Sequence, residues 1–241
     1  MSRPAVVLIP GLMCDAGLWA EQSAALRGRA IPHEVADHGQ ASSLSAMAQA
    51  ILGRHEGPLL AAGHSMGGRV ALEIARLAGP RLRGLALLDT GYRPLAAGEA
   101  GERERRSRLA LLDQARHEGV RSMALRWVQG MVHPMRDTDT ALIGAIADMF
   151  ARRSAEVFSA QIQALLQRPD ASAVLAQVRC PTLLLCGEQD HWSPPAQHRE
   201  MQQLIPGSEL VLVPEAGHMA PMERPAAVTA ALLSWLERAG W

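Results

Sequence analysis

Leu59-Leu-Ala-Ala-Gly-His-Ser-Met-Gly-Gly-Arg-Val-Ala-Leu-Glu-Ile-Ala75 decides how the chain is read. A short apolar run enters a Gly63-His-Ser-Met-Gly67 turn, and an apolar pattern of helical spacing leaves it. Strand, sharp turn and helix in that order form the setting in which a G-x-S-x-G sequence lifts a serine above a sheet edge. So tight a corner forces strained backbone on Ser65. A side chain at Gly63 or Gly67 would collide with the strand or helix beside it. The five-residue match alone is weak evidence, and its flanks give it value.

Working outward, Ala5-Val-Val-Leu-Ile9 is a β-branched apolar run suited to a strand covered on both faces, and Pro10-Gly11 ends it. Helical spacing follows at 18–26, a weaker strand at 31–36 and a second helix at 44–52. The central strand over 59–62 leads to a helix over 69–78, whose apolar stripe is Val70, Ala71, Ile74, Leu77 and Ala78. Leu82–Leu88 reads as a fourth strand. From 92 to 170 there is no strand, only helical patterns at 102–114, 120–128, 140–150 and 155–166, which predicts an inserted helical cap. Strand–helix alternation then resumes with 182–186, Pro195–Leu204, Glu209–Val213 and a closing helix over 225–239. The pattern predicts an α/β fold with a mainly parallel sheet of about six strands and helices on both faces. Residues 1–91 and 171–241 form the core in this reading, and 92–170 the cap.

A hydrophobic content of 48% is enough for a substantial core. The 24 basic residues balance 24 acidic ones, so there is no electrostatic footprint for nucleic acid or an anionic membrane. Cys14, Cys180 and Cys186 are an odd count at irregular spacing, which fits neither a disulfide framework nor a zinc site. They read as small core hydrophobes in a reducing cytoplasm. Met-Ser-Arg-Pro at the N-terminus runs into an apolar stretch too short for a signal peptide, and no run approaches a membrane span. With no metal-ligand spacing and no phosphate-binding glycine loop, neither metal nor cofactor is expected.

A serine at its ordinary pKa is a poor nucleophile; it needs a base, and the base needs an orienting partner. Gly187-Glu-Gln-Asp190 follows one predicted strand and Pro214-Glu-Ala-Gly-His218 another. Both loops leave the carboxyl ends of strands, the sheet edge where open α/β sheets bind their ligands. Asp190 also suits a helix cap before Ser193-Pro-Pro195, and Asp89 is a rival acid or a local cap for the loop after it. His64 and His191 read as packing or solvent residues. In Glu102-Arg-Glu-Arg-Arg-Ser-Arg108 the two signs interleave, which reads as a solvated helix face.

With Gly63-His-Ser-Met-Gly67, Gly187-Glu-Gln-Asp190 and Gly217-His218 in that order, the chain outside 92–170 resembles the α/β-hydrolase superfamily. It looks most like the small single-domain carboxylesterases and enol-lactonases. The resemblance implies six strands without the usual initial hairpin, Ser65 as nucleophile, His218 as general base and then acid, and Asp190 as the residue fixing the imidazole. It also implies an oxyanion hole from the backbone N–H groups of Met66 and Leu12. Pro10-Gly11 departs from the commoner His-Gly pattern there. Met13, Trp127, Met131, Met149, Phe150, Trp192 and Met219 are the expected substrate wall, its methionines suited to varied apolar groups. The implied activity is cofactor-free hydrolysis of a small ester, lactone or thioester. The resemblance leaves open a slow or non-hydrolytic small-molecule receptor, a C–C hydrolase, a hydroxynitrile lyase and a cofactor-free perhydrolase.

Overall fold

In a computed structural model describing residues 3–241, the apolar runs become six strands. They are β1 (Ala5–Ile9), β2 (His33–Val35), β3 (Leu59–His64), β4 (Leu82–Leu88), β5 (Thr182–Gly187) and β6 (Glu209–Val213). Met1 and Ser2, assigned above to the core, lie outside the described residues. All neighbours pair in parallel in the order β2-β1-β3-β4-β5-β6. Burial explains the texture of the sequence. β1, β3, β4 and β5 are buried along nearly their whole length and are mainly apolar, apart from the exposed Arg83 near the start of β4, whereas the edge strands β2 and β6 are half-buried and mixed.

Eleven helices surround the sheet among the described residues. Before β4 come α1 (Ala20–Gly28), α2 (Leu44–Arg54) and α3 (Met66–Ala78). Between β4 and β5 lie α4 (Gly98–Glu118), α5 (Val120–Trp127), α6 (Thr140–Ala151), α7 (Ala155–Leu166) and the short α8 (Ser172–Leu175). After β5 come α9 (Pro195–Leu204), the short α10 (Ala220–Glu223) and α11 (Pro225–Arg238). α1 and α11 pack on each other, with α11 against β4, β5 and β6; α2 packs on α3, which lies against β1, β3 and β4. The sheet is thus sheathed on both sides.

Several boundaries differ from expectation for identifiable reasons. β3 runs on to His64 and α3 begins at Met66, so the whole turn is a single residue, Ser65. α4 extends well past both ends of the expected 102–114 because nothing breaks it until Gly119, whose φ of 85° favours glycine. α8 and α10 have four residues each, too few to show a period. Leu77, placed in the apolar stripe of α3, is instead 37% exposed at the fraying end of that helix. α6 and α7 begin as their sequences suggest: Asp139 accepts the N–H of Leu142, and Ser154 that of Val157. No helix is long and apolar enough to cross a membrane among the described residues.

Trp235 of α11 is fully buried against the sheet, and its indole N–H donates to the carbonyl of Pro181 at 3.0 Å. Truncation there removes a large apolar group and one of two hydrogen bonds to that carbonyl, which keeps the Leu85 N–H at 3.1 Å. Trp235→Ala is expected to lower unfolding free energy by about 3–5 kcal/mol in urea denaturation. A loss under about 1 kcal/mol would show that α11 is not clamped to the sheet in this way.

Candidate active site

Ser65 stands alone between β3 and α3 at φ 53°, ψ −116°. Such a conformation costs a non-glycine residue about 1–3 kcal/mol, so its surroundings must hold it there. The Ser65 N–H donates to Leu88 O at 2.9 Å, and its carbonyl accepts the Thr90 hydroxyl at 2.6 Å. The glycines are obligatory for close approach. A Cβ at Gly63 would fall on the carbonyl of Gly67, and one at Gly67 on the carbonyl of Ile9.

His218 lies in the loop after β6, and its Nε2 is 2.8 Å from Ser65 Oγ. Its Nδ1 is 2.9 Å from Asp190 Oδ2, an arrangement that puts the ring proton on Nδ1 and leaves Nε2 to accept from the hydroxyl. The other carboxylate oxygen, Oδ1, accepts the N–H groups of Trp192 (2.8 Å) and Ser193 (2.9 Å). Asp190 does not cap α9, which starts at Pro195 with no side-chain cap; its Oδ1 instead closes the turn before that helix, while Oδ2 holds the imidazole. Burial alone would raise its pKa. The charge and hydrogen bond of His218, with the two N–H groups, outweigh burial and hold it below the usual carboxylate range.

Asp89 corrects one expectation. It does not cap the loop that follows; it is buried, and its Oδ1 accepts Gly187 N–H at 2.9 Å, tying the end of β4 to the end of β5. Its Oδ2 has no hydrogen-bond partner among the described residues. Burial, and then the charge of Asp190, hold this carboxyl well above its ordinary pKa. The two acids at adjacent strand ends are thus shifted in opposite directions, Asp190 down and Asp89 up.

The His218 loop has a second anchor that sequence reasoning missed. Buried Glu223 accepts the N–H groups of Gly217 (2.9 Å) and Met219 (3.2 Å), which flank His218, and that of His133 (2.7 Å). The His218 N–H donates to Met131 O at 2.6 Å, and its carbonyl accepts His64 Nε2–H at 2.7 Å. His64 is fully packed, and burial, followed by the charge of His218, pulls its pKa down to about 3. His198 is drawn to about 4 chiefly by burial, with Nε2 placed to accept Thr90 N–H at 3.4 Å. His191 is exposed. Burial raises the thiols of Cys14 and Cys186 far out of the reactive range.

A cavity of about 480 Å³ opens over Ser65 and His218. Leu12, Met66, Trp127, Met131, Phe150, Trp192 and Met219 line it. Among the described residues no hydrogen bond engages the backbone N–H of Leu12 or Met66. Met13 and Met149, expected in the wall, are buried elsewhere. Met13 sits at φ 64° with its N–H on Gln161 Oε1 at 2.9 Å. Met149 is a neighbour of Phe150 on α6 and so points about 100° round the helix from it. Glu104 and Arg108, read as a solvated face, instead turn inward and line the cavity with Arg69 and Arg168. The link from Glu104 to Arg168 spans 64 residues and leaves no local signal.

Buried neutral histidines set a pH dependence. His38, His64 and His198 are lowered to about 4, 3 and 4, so the unfolded chain binds more protons below the ordinary histidine pKa of about 6.5. Their contribution to stability is complete above that pH and is lost as pH falls through 4. Urea midpoints are expected to fall steadily from about pH 6.5 to 4, with a shallower slope in His198→Gln. An identical slope in that variant would contradict the assignment.

Comparison with known proteins adds the following. The family model described as "Alpha/beta hydrolase family" matches residues 6–232. A 2-succinyl-6-hydroxy-2,4-cyclohexadiene-1-carboxylate synthase of Klebsiella pneumoniae is 30% identical over 172 residues, a match spanning 70% of this chain and 65% of that protein. A pimeloyl-[acyl-carrier protein] methyl ester esterase of Nitrosomonas europaea is 28% identical over 225 residues, 89% of this chain and 88% of the other. Among solved structures, a thermophilic esterase of Thermogutta terrifontis with malate bound superposes with a TM-score of 0.86 at 29% identity, covering 99% of this chain and 91% of that one. A family match running almost end to end, on a parallel sheet with a serine at its sharpest turn, means that the chain belongs to the alpha/beta hydrolase family.

Proposed function

We propose that the protein is a serine hydrolase that cleaves a small carboxylic ester, lactone or thioester through an acyl-enzyme. The observation that carries this reading is the unbroken hydrogen-bonded chain Ser65–His218–Asp190 at the mouth of the cavity. Ser65 Oγ attacks the substrate carbonyl as His218 Nε2 takes its proton, and Asp190 stabilises the imidazolium. The tetrahedral oxyanion rests on the N–H groups of Met66 and Leu12, each worth about 3–4 kcal/mol in such a site. His218 returns the proton to the leaving group and then draws one from water, which releases the acid. Residues 92–170 act as a cap that roofs the site, supported by the position of Trp127, Met131 and Phe150 in the cavity wall. Three free cysteines favour action in a reducing cytoplasm on a small-molecule substrate.

One observation favours a second reading. The Klebsiella relative is named a synthase, not an esterase, so the same site on this chain would carry out a non-hydrolytic reaction. Product analysis by mass spectrometry separates the two: an acid and an alcohol or thiol from an ester supports hydrolysis.

Ser65→Ala is expected to reduce kcat/KM for a p-nitrophenyl ester by at least about 10⁴-fold, with the fold intact by circular dichroism. Asp190→Asn is expected to reduce kcat by about 10⁴-fold, because it reverses the imidazole tautomer. Turnover by Ser65→Ala within tenfold of the unaltered protein would overturn the mechanism.

A further inference from the structure

The cavity over Ser65 has two unlike walls. Beside His218 it is apolar and aromatic, with the ring of Trp127 5.6 Å from Phe150 and 5.7 Å from Trp192. The other wall is charged. Arg69 comes from α3, Glu104 and Arg108 from α4, and Arg168 from just beyond α7. Among the described residues lining the cavity, Glu104 is the only carboxylate, against three guanidinium groups.

The pairing within that wall is uneven. Arg168 grips both oxygens of Glu104, at 2.7 and 2.8 Å, and Arg108 Nε reaches Oε1 at 2.9 Å. Those bonds have a structural use, since they tie α4 to the end of α7. Arg69 takes no part in them. Its Nη1 donates to the carbonyl of Arg93 at 2.9 Å, and among the described residues no carboxylate pairs with it. One carboxylate against three cations leaves two positive charges in excess on the wall of a partly enclosed cavity. Burial, and then the like charge of Arg168, pulls Arg69 down to about 9, and burial also lowers Arg108; both stay protonated at neutral pH. Half-buried cations without a full complement of anions carry part of a desolvation cost, and an incoming anion relieves it.

We propose that this wall is a subsite for an ionised carboxylate, so that the preferred ester carries a second, negatively charged acid group remote from the bond that is cleaved. The word ester rests on the hydrolase reading above; the anion subsite does not. A guanidinium fork matches a carboxylate edge with two parallel hydrogen bonds. Arg69 leaves α3 one helical turn after Ser65 and lines the same cavity, which places the cationic wall near the reacting serine and makes a short diacid the ligand to test. The aromatic wall then receives the carbon skeleton, and Arg69 with Arg108 the distal charge.

The test separates binding from turnover. Ser65→Ala protein is titrated by calorimetry with glutarate, its neutral dimethyl ester and inorganic phosphate. Glutarate is expected to bind more tightly than either, to weaken as salt is raised, and to weaken by about 10- to 100-fold on adding Arg69→Gln or Arg108→Gln. Placing the two substitutions on different helices keeps the test decisive if one variant fails to fold. In the protein with Ser65 intact, the ratio of kcat/KM for p-nitrophenyl hemiglutarate to that for p-nitrophenyl butyrate is expected to exceed one and to fall in each arginine variant, mainly through KM. Glutarate binding no better than its dimethyl ester, binding indifferent to both arginines, or tighter binding of phosphate overturns the carboxylate subsite. Arginine-dependent glutarate binding without turnover of either ester removes the hydrolase reading and leaves the subsite standing. Equal turnover of both esters without such binding does the reverse.

Discussion

At Ser65 the backbone occupies a conformation that the residue would not choose, and much of the surrounding structure keeps it there. The sheet supplies a fixed anchor in the carbonyl of Leu88, and Thr90, just beyond β4, clamps the serine carbonyl. The glycines at 63 and 67 let β1, β3 and α3 close to a distance at which no side chain fits. A strained corner of this kind is stable only inside a rigid frame, which the buried strands β1, β3, β4 and β5 provide. Strain at one residue and the parallel core are thus two sides of one arrangement: the core fixes the corner, and the corner points a hydroxyl out of the core.

Around that hydroxyl, burial pushes both acids up and hydrogen bonding decides which of them resists it. Asp190 has three hydrogen-bond donors and keeps its charge, whereas Asp89, equally enclosed, has one donor and a bare oxygen. The difference lies in the loops. Asp190 opens a turn whose N–H groups converge on it, while Asp89 follows β4 directly and accepts a single N–H, from the end of β5. His64 is held neutral by packing, so its contact with the His218 carbonyl is a scaffold bond and its proton stays out of any exchange. Glu223 plays the same supporting part from the far side, with both oxygens turned to the backbone of neighbouring loops.

How much of this was legible in the sequence follows from how local each signal is. The four central strands are readable because burial on both faces imposes a run of apolar residues, interrupted only near the start of β4 by exposed Arg83. The Ser65 and Asp190 loops are readable because each follows such a run, and the His218 loop because it follows the apolar residues of edge strand β6. Asp89 was misjudged because a carboxyl that bonds across the sheet looks the same in sequence as one that caps its own loop. Met149 was misplaced because a methionine beside an aromatic on a helix cannot share its face. The cationic wall was invisible because its parts come from α3, α4 and the end of α7. The sign pattern of 102–108 does not reveal which face turns inward. Glu223 lay outside every pattern, since a buried anchor to backbone needs no partner of recognisable type.

The account turns on a covalent bond forming at one oxygen. Quenching the protein in acid during turnover of a slow ester, then digesting it and weighing its peptides, reads that bond directly. The predicted result is one acyl group per chain, carried by the peptide that contains Ser65 and localised to that residue by fragmentation. An acyl group on another side chain, or ester turnover with no acylated protein at any time, would contradict it.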